Sequence, residues 1–308
     1  EEYPDPDVEG YNPCAEQSLA SFETCCLAEV FLPNVTSKEE FLDILELLYR
    51  VNKHSLMLPS HHPETEAIVH KNMRMGIGLT GILQATKEQN SWADEGYQFL
   101  RAFDAEYSDI HGFNESVKLT TVKPSGTLSL LPGVTPGIHP AYAQYMYRRI
   151  RVAAEHPLVD TCRASGYPIE YVRNFDGSED YNTVVVTFPF SYPEGTVLAS
   201  EMTALDQLAI IKRLQKEWSD NSVSCTIYYR KEELPAIRKY LSENYKDNHK
   251  SLSFLLHSEH GFQQAPYEEI TKEKYDELVA RTKIITSITA SLELDDSGEC
   301  ATGACPIR

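Results

Sequence analysis

Hydrophobic residues along this chain follow two periods, one helical and one of strand type. Thr36-Ser37-Lys38-Glu39 has the form of a capping box, and behind it Phe41, Leu45, Leu48 and Val51, with Leu42 and Ile44, draw a helical stripe. Ser91-Trp92-Ala93-Asp94 opens a second helix, with Trp92, Leu100, Phe103 and Tyr107 as its apolar positions. Further helices are predicted over Thr203–Trp218, Lys231–Tyr245 and Thr271–Thr282. Thr183–Phe188 reads TVVVTF, a continuous β-branched run of the kind buried in α/β sheets. In Ser222–Tyr229, Val223, Cys225, Ile227 and Tyr229 alternate with more polar residues, and Leu252–Leu256 is a third strand. Gly76, Gly78 and Gly81 crowd into Lys71–Leu83, which predicts close backbone packing near a turn or a helix crossing. Strands interleaved with helices predict an α/β architecture, open or closed into a barrel.

No internal repeat or low-complexity segment breaks this organisation. From Leu294 the run DDSGECATGAC loses periodicity and has the composition of a flexible arm. We therefore expect one body over 1–293 and a tail over 294–308. Hydrophobic residues at 42% and charged residues at 24% suit a globular protein with a sizeable core. No apolar run approaches the roughly 18–20 residues of a membrane span, and no signal-peptide pattern opens the chain. Seven cysteines without an export signal are expected to be thiols in a reducing cytoplasm. A formal charge of −18 argues against nucleic acid as a direct partner, while a small phosphate can still be held by backbone amides. The chain starts at Glu1, and reactive residues follow almost at once, so we expect the back part of a longer polypeptide.

Three segments could carry chemistry. In Asn12-Pro13-Cys14-Ala15-Glu16 the thiol and carboxylate are two residues apart, so an extended backbone would turn both, with Asn12, to one side. The plainer alternative is a buried free cysteine beside an N-capping glutamate, which the nearby Cys25 and Cys26 disfavour. Cys300 and Cys305 are spaced equally well for a metal half-site or for thiol exchange; a position in a terminal arm favours exchange. Lys123-Pro124-Ser125-Gly126-Thr127-Leu128-Ser129, continuing LLPGVTPGIHP, offers N–H groups and hydroxyls to a phosphate, especially if a helix starts there. An ordinary Gly/Pro loop is the alternative. His61-His62 reads as a loop or cap feature, Tyr228-Tyr229 as strand packing, and Cys162 and Cys225 as core thiols.

At these residues the sequence resembles a known family. NPCAEQSLASFETC is similar to the active-site loop of ribonucleotide reductases, with an Asn-x-Cys-x-Glu motif and a second cysteine eleven positions on. That spacing takes Cys14 to Cys25 and leaves Cys26 as a bystander. NMRMGIGLTG, KPSGTLSLLPGVTPGIHP, WSDNSVSCTIYY and HGFQQAPYEEIT resemble the adenosylcobalamin-dependent branch, nearest to the monomeric triphosphate reductases, as does the Cys-x4-Cys ending. The likeness runs through essentially the whole chain. It implies the C-terminal part of a ten-stranded α/β barrel with the Cys14 loop at its centre. The front part would carry the cysteine that pairs with Cys25 and a regulatory nucleotide site.

The resemblance also implies roles. A radical derived from adenosylcobalamin would make a thiyl on Cys14, which takes the 3′ hydrogen of a ribonucleoside triphosphate. Glu16 would be base to the 3′ hydroxyl, and Asn12 would hydrogen-bond the sugar. Cys25 and its partner would end as a disulfide, which Cys300 and Cys305 reduce before thioredoxin or a similar protein restores them. Ser125, Gly126 and Thr127, with Ser129, would hold the phosphates. Leu252–Leu256 lacks the tyrosine pair of diiron-dependent relatives, and the cysteine tail occupies the region where a glycyl-radical motif would lie. The rival readings are a diphosphate-using or diiron-type reductase, a fragment inactive without a separate N-terminal chain, and a structural metal-binding protein using Cys300 and Cys305.

Overall fold

In the computed structural model of the chain, the described residues are 5–174, 176–257 and 264–286. A hairpin of β1 (Gly10–Tyr11) and β2 (Ser18–Leu19) comes first. β3 (Leu27–Phe31), α1 (Lys38–Ser55), α2 (Pro63–Asn72), β4 (Gly76–Thr80), α3 (Lys87–Ser91), α4 (Ala93–His111) and β5 (Thr120–Thr121) follow. Next are β6 (Tyr145–Ala153), α5 (Pro157–Ala164), β7 (Ile169–Arg173) and β8 (Glu179–Ser191). The chain continues through α6 (Ala204–Glu217), β9 (Thr226–Tyr229), α7 (Leu234–Asn248) and β10 (Ser253–Leu256), and then β11 (Tyr267–Glu269) and α8 (Lys272–Arg281). The described residues within 1–144 and 192–259 form one compact unit; those within 145–191 and 260–308 form a second.

The first unit is half of an α/β barrel. β4 lies between β3 and β5, parallel to both, and β10 runs parallel to β9. A parallel bridge from Val122 to Val223 joins the two groups in the order β3-β4-β5-β9-β10. These five strands are half the number that the resemblance implies. Period two sorts their side chains. Ile77 and Leu79 of β4 enter the core shared with α1, α4 and α6, where Phe41 meets Trp92 and Trp218 at ring centroids of 5.8 and 6.2 Å. Gly76, Gly78 and Thr80 form the opposite face.

The glycine cluster is therefore a close approach of backbone inside a strand, not at a helix crossing; only Gly81, at φ +75°, turns the chain. The helices largely follow the predicted pattern, with local differences. Ser37 is the α1 N-cap, accepting from the Glu40 N–H at 3.2 Å, while Glu40 reaches back to the Thr36 N–H. The cap thus sits one residue later than its sequence form. The buried face of α1 continues through Tyr49, Asn52 and Lys53, leaving Val51 exposed. α4 starts after Trp92, but Ser91 belongs to α3 and no side chain caps α4.

The second unit holds an antiparallel sheet, β11-β6-β8-β7. TVVVTF lies in β8 with Val184, Val185 and Val186 buried, but its setting is antiparallel. A continuous apolar run reports that both faces are covered, here with α8 against β6 and β8, and does not fix strand direction.

α1 and α4 are pinned by a buried ion pair. Lys53 Nζ lies 2.8 Å from Asp104 Oδ1, with both side chains at 1% exposure or less. Tyr49 and Ser116 donate to the same carboxylate, and Lys53 also donates to the Asn114 carbonyl. Burial pushes the Lys53 ammonium down and Asp104 pulls it back up. Removing the cation leaves a desolvated carboxylate without its counter-charge, so Lys53→Met should cost about 3–5 kcal/mol in denaturant unfolding. The double variant Lys53→Met/Asp104→Leu should recover much of that loss. A cost for Lys53→Met below about 1 kcal/mol, the range of an exposed pair, would contradict this view of the pair.

Candidate active site

The Asn12–Gln17 loop at the tip of the β1–β2 hairpin is a folded turn. The extended segment considered from sequence is therefore not present. Ala15 sits at φ +57°, and its N–H donates to the Asn12 carbonyl at 2.9 Å. Asn12 closes the turn by accepting from the Gln17 N–H through Oδ1 at 3.0 Å. Its Nδ2 donates to the Cys25 Sγ at 3.4 Å. Turning the chain in this way still groups the expected residues, because charge on Glu16 acts on both the Cys14 and Cys25 thiols.

Both ends of the loop are fastened. On one side Arg74, at 1% side-chain exposure, grips Asp5 with two bonds of 2.7 and 2.8 Å and pairs with Glu23 at 3.1 Å. On the other side, Ser222 N–H donates to the Glu16 carbonyl at 2.9 Å, and Ser224 Oγ donates to the Cys14 carbonyl at 2.6 Å. Asp220 fixes the segment before these serines by accepting from the Leu119 and Thr120 N–H groups and pairing with Arg101.

Beneath the loop lies a polar strand face. Gln17 is buried over Gly76, where a Cβ would stand 2.7 Å from its Nε2. Glu29 of β3 lies over Gly78, where a Cβ would stand 2.3 Å from Oε1. Lys123 Nζ approaches Glu29 Oε1 to 3.6 Å. Neither Glu29 oxygen, nor Oε2 of the buried Glu16, has a hydrogen-bond partner among the described residues. Burial pushes the Glu29 carboxyl up to about 8, against the pull of Lys123 and with the help of Glu16.

The thiols are held protonated. Cys14 and Cys25 are exposed residues, yet desolvation around their sulfurs and the charge of Glu16 raise both, Cys25 to about 11. Lys123 works in the opposite direction on each. A neutral thiol retains the S–H hydrogen that radical chemistry moves, whereas thiolate chemistry needs the reverse. Cys26 contacts the Asn52 carbonyl from the other side of the strand and is raised to about 11, mainly by burial. Cys162 and Cys225 are buried, as expected of core thiols.

The 123–140 loop folds back onto its own root. Gly137, at φ +56°, lies so near the Lys123 carbonyl that a Cβ there would stand at 2.4 Å. Ser125 Oγ bonds Thr80 Oγ1, which also accepts from the Gly137 N–H at 2.6 Å. Ser129 Oγ donates to the Gly126 carbonyl at 2.8 Å and is buried. A single 3-10 turn, Leu128–Leu130, starts here, and no α-helix begins at this loop. The N–H groups of Ser125, Gly126 and Thr127 donate to no protein acceptor among the described residues. Thr127 is exposed, while the Ser129 hydroxyl serves the loop itself.

Cys300 and Cys305 lie outside the described residues. Among those described, no group of three or more His, Cys, Asp or Glu could hold a metal, and no helix is long and apolar enough to cross a membrane. Sequence reasoning missed Glu29, Lys123 as a charged partner, and the Ser222/Ser224 clasp. A carboxylate within the apolar run Leu27–Phe31 was the available signal for Glu29.

Residues 105–255 match the family described as ribonucleotide reductase, barrel domain. An adenosylcobalamin-dependent ribonucleoside-triphosphate reductase of Euglena gracilis is 34% identical over 97% of this chain and 41% of its own length. The enzyme of that name from Lactobacillus leichmannii is 33% identical over 99% of this chain and 46% of its own. A crystal structure of a B-12 dependent (class II) ribonucleotide reductase superposes with a TM-score of 0.77 at 31% identity, covering 91% of this chain and 43% of that one. The alpha subunit of an Actinobacillus ureae class Id ribonucleotide reductase, at 15% identity and TM-score 0.51, shares the fold. The chain thus spans less than half the length of these curated relatives. The likeness read from the motifs, and the barrel fold with it, is borne out.

Glu29 carries a pH prediction. Its folded pKa of about 8 lies above the ordinary 4.5, so its contribution is fully present below pH 4.5 and is lost as pH rises through 8. Glu29→Gln has no such loss. The melting temperature of the variant relative to the parent should therefore climb from about pH 4.5 to pH 8 and then level off. A difference that stays flat across this range would show that Glu29 ionises normally.

Proposed function

We propose that this chain, whose residues 105–255 match the ribonucleotide reductase barrel-domain family, is the C-terminal catalytic portion of an adenosylcobalamin-dependent ribonucleoside-triphosphate reductase. The observation that carries this reading is the turn that gathers Asn12, Cys14, Glu16 and Cys25 at one point, over a polar strand face. The names of its relatives support the triphosphate substrate and the cofactor over a diphosphate or diiron alternative.

Adenosylcobalamin, when bound, supplies a carbon-centred radical able to take a thiol hydrogen. Cys14 fits as the donor: it stands at the tip of the loop, exposed, with its proton retained. No residue of this chain is assigned to hold the cofactor. The Cys14 thiyl takes the 3′ hydrogen of the ribose, and Glu16 accepts the 3′ hydroxyl proton. Its buried Oε2, without a hydrogen-bond partner among the described residues, is open to that hydroxyl. Asn12 orients both the sugar and Cys25.

The 2′ hydroxyl leaves as water, and at the end Cys14 returns the hydrogen to the 3′ carbon, becoming a thiyl again, while Glu16 returns the proton to the 3′ oxygen. The two hydrogens and two electrons that the reduction requires come from Cys25 and a cysteine of an N-terminal half, which close as a disulfide. Cys300 and Cys305 reopen it by thiol exchange and are themselves reduced by thioredoxin or a similar protein. The free N–H groups of Ser125, Gly126 and Thr127 hold the triphosphate, with Ser129 shaping their loop. These roles assign the protein to deoxyribonucleotide synthesis in the cytoplasm.

Activity should appear only when the chain is combined with an N-terminal half, adenosylcobalamin, a ribonucleoside triphosphate and a dithiol, with deoxynucleotide as the measured product. Cys14→Ser should reduce product to background. Cys300→Ser should abolish turnover with thioredoxin and retain it with a small dithiol. An active Cys14→Ser enzyme would refute the radical assignment.

A further inference from the structure

Glu29 and Lys123 take no part in the steps above, yet they occupy the floor of the site. Glu29 enters from β3, and Gly78 on β4 leaves the space its carboxylate fills. Lys123 follows β5 and reaches that carboxylate at 3.6 Å, just beyond direct hydrogen-bonding distance. The Glu29 side chain is fully buried, and neither of its oxygens accepts a hydrogen bond among the described residues. A buried carboxyl with no donor is costly unless it serves something nearby. On this face the ionisable groups acting with Glu29 are Lys123 beyond β5 and Glu16 from the loop; β4 offers no ionisable side chain, only Gly76, Gly78 and Thr80. Lys123 and Glu16 also act on both the Cys14 and Cys25 thiols.

We propose that Glu29 and Lys123 are a positioning pair beneath the reaction centre, Glu29 tethering the Lys123 ammonium where its charge offsets that of Glu16 on Cys14 and Cys25. The pair touches no reacting atom. Its meaning for turnover rests on the reductase reading, because neutral thiols and a basic Glu16 are needed together there. With Glu29 protonated, Lys123 carries an uncancelled positive charge toward the thiols. Ionisation of Glu29 near 8 cancels that charge and makes thiolate formation harder.

Alkylation of the 308-residue chain by iodoacetamide, with peptide mass mapping of Cys25 between about pH 6 and 10, tests this directly, since only thiolate reacts. In the parent chain the logarithm of the rate should rise with pH along two parallel lines. The upper-pH line should be displaced downward by roughly three- to tenfold, the effect of one charge across a partly screened interior. The displacement should centre near pH 8. Glu29→Gln should give a single line, continuing the low-pH branch. Lys123→Met should slow Cys25 by a similar factor below pH 8 and move the displacement upward.

An undisplaced parent profile, a displacement that persists in Glu29→Gln, or an unaffected rate in Lys123→Met would each overturn the pairing. Should Glu29→Gln fail to fold, carboxyl-13C NMR of the glutamate-labelled parent carries the same question. One glutamate should titrate near 8 and move upward in Lys123→Met, and absence of that signal overturns the proposal. None of these readouts uses cofactor or turnover. A failed reductase test therefore leaves them interpretable, and their failure leaves the reductase test standing.

Discussion

A Cβ at residue 78 would stand 2.3 Å from the Glu29 carboxylate, and one at residue 76 would stand 2.7 Å from both the Gln17 amide and Leu27. β4 must therefore be bare on the face it turns to the loop, although glycine weakens a strand interior. The compensation lies on its other face, where Ile77 and Leu79 are packed into the helical core. Parallel pairing on both edges supplies the rest. With that strand in place, Gln17 can sink into the sheet and donate to the Cys26 carbonyl at 3.2 Å, which draws the loop down beside Cys25. A side chain at residue 76 would push Gln17, and the loop with it, off the sheet, while one at residue 78 would displace the Glu29 carboxyl.

The electrostatics of the site follow from the same packing. The Lys123 ammonium lies beside the Glu29 carboxyl, and desolvation outweighs that ammonium at Glu29 and at both thiols. A site built for thiolate attack would show the opposite balance, with cations or a helix N-terminus dominating. This floor favours uncharged sulfur. The polar face is affordable because the helix-facing side of the same strands is continuous hydrocarbon.

Much of this was legible in the sequence, and the limits have physical causes. Helices announced themselves through period and caps, but the last turns of α1 hid their buried face, because Tyr49 and Lys53 are polar and find their shared partner, Asp104, on α4. TVVVTF specified a covered strand without specifying its neighbours. The motif residues Asn12, Cys14, Glu16 and Cys25 could be named, but their grouping depends on a left-handed Ala15 that composition does not reveal. Glu29 stayed hidden because a lone carboxylate in an apolar strand has meaning only once Gly78 and Lys123 stand beside it.

The loop is also held by contacts that are far apart along the chain. Ser224 reaches the Cys14 carbonyl across 210 residues, and Arg74 reaches Asp5 across 69. Loop-closure entropy makes such contacts late to form, since the intervening strands must be ordered first. The local part of the turn, Asn12 with Gln17, needs only five residues. The hairpin can therefore fold early around Asn12, but it is fixed in place only when β5 and the 219–224 segment have come together through Asp220. Correct geometry at Cys14 thus depends on completion of the half-barrel.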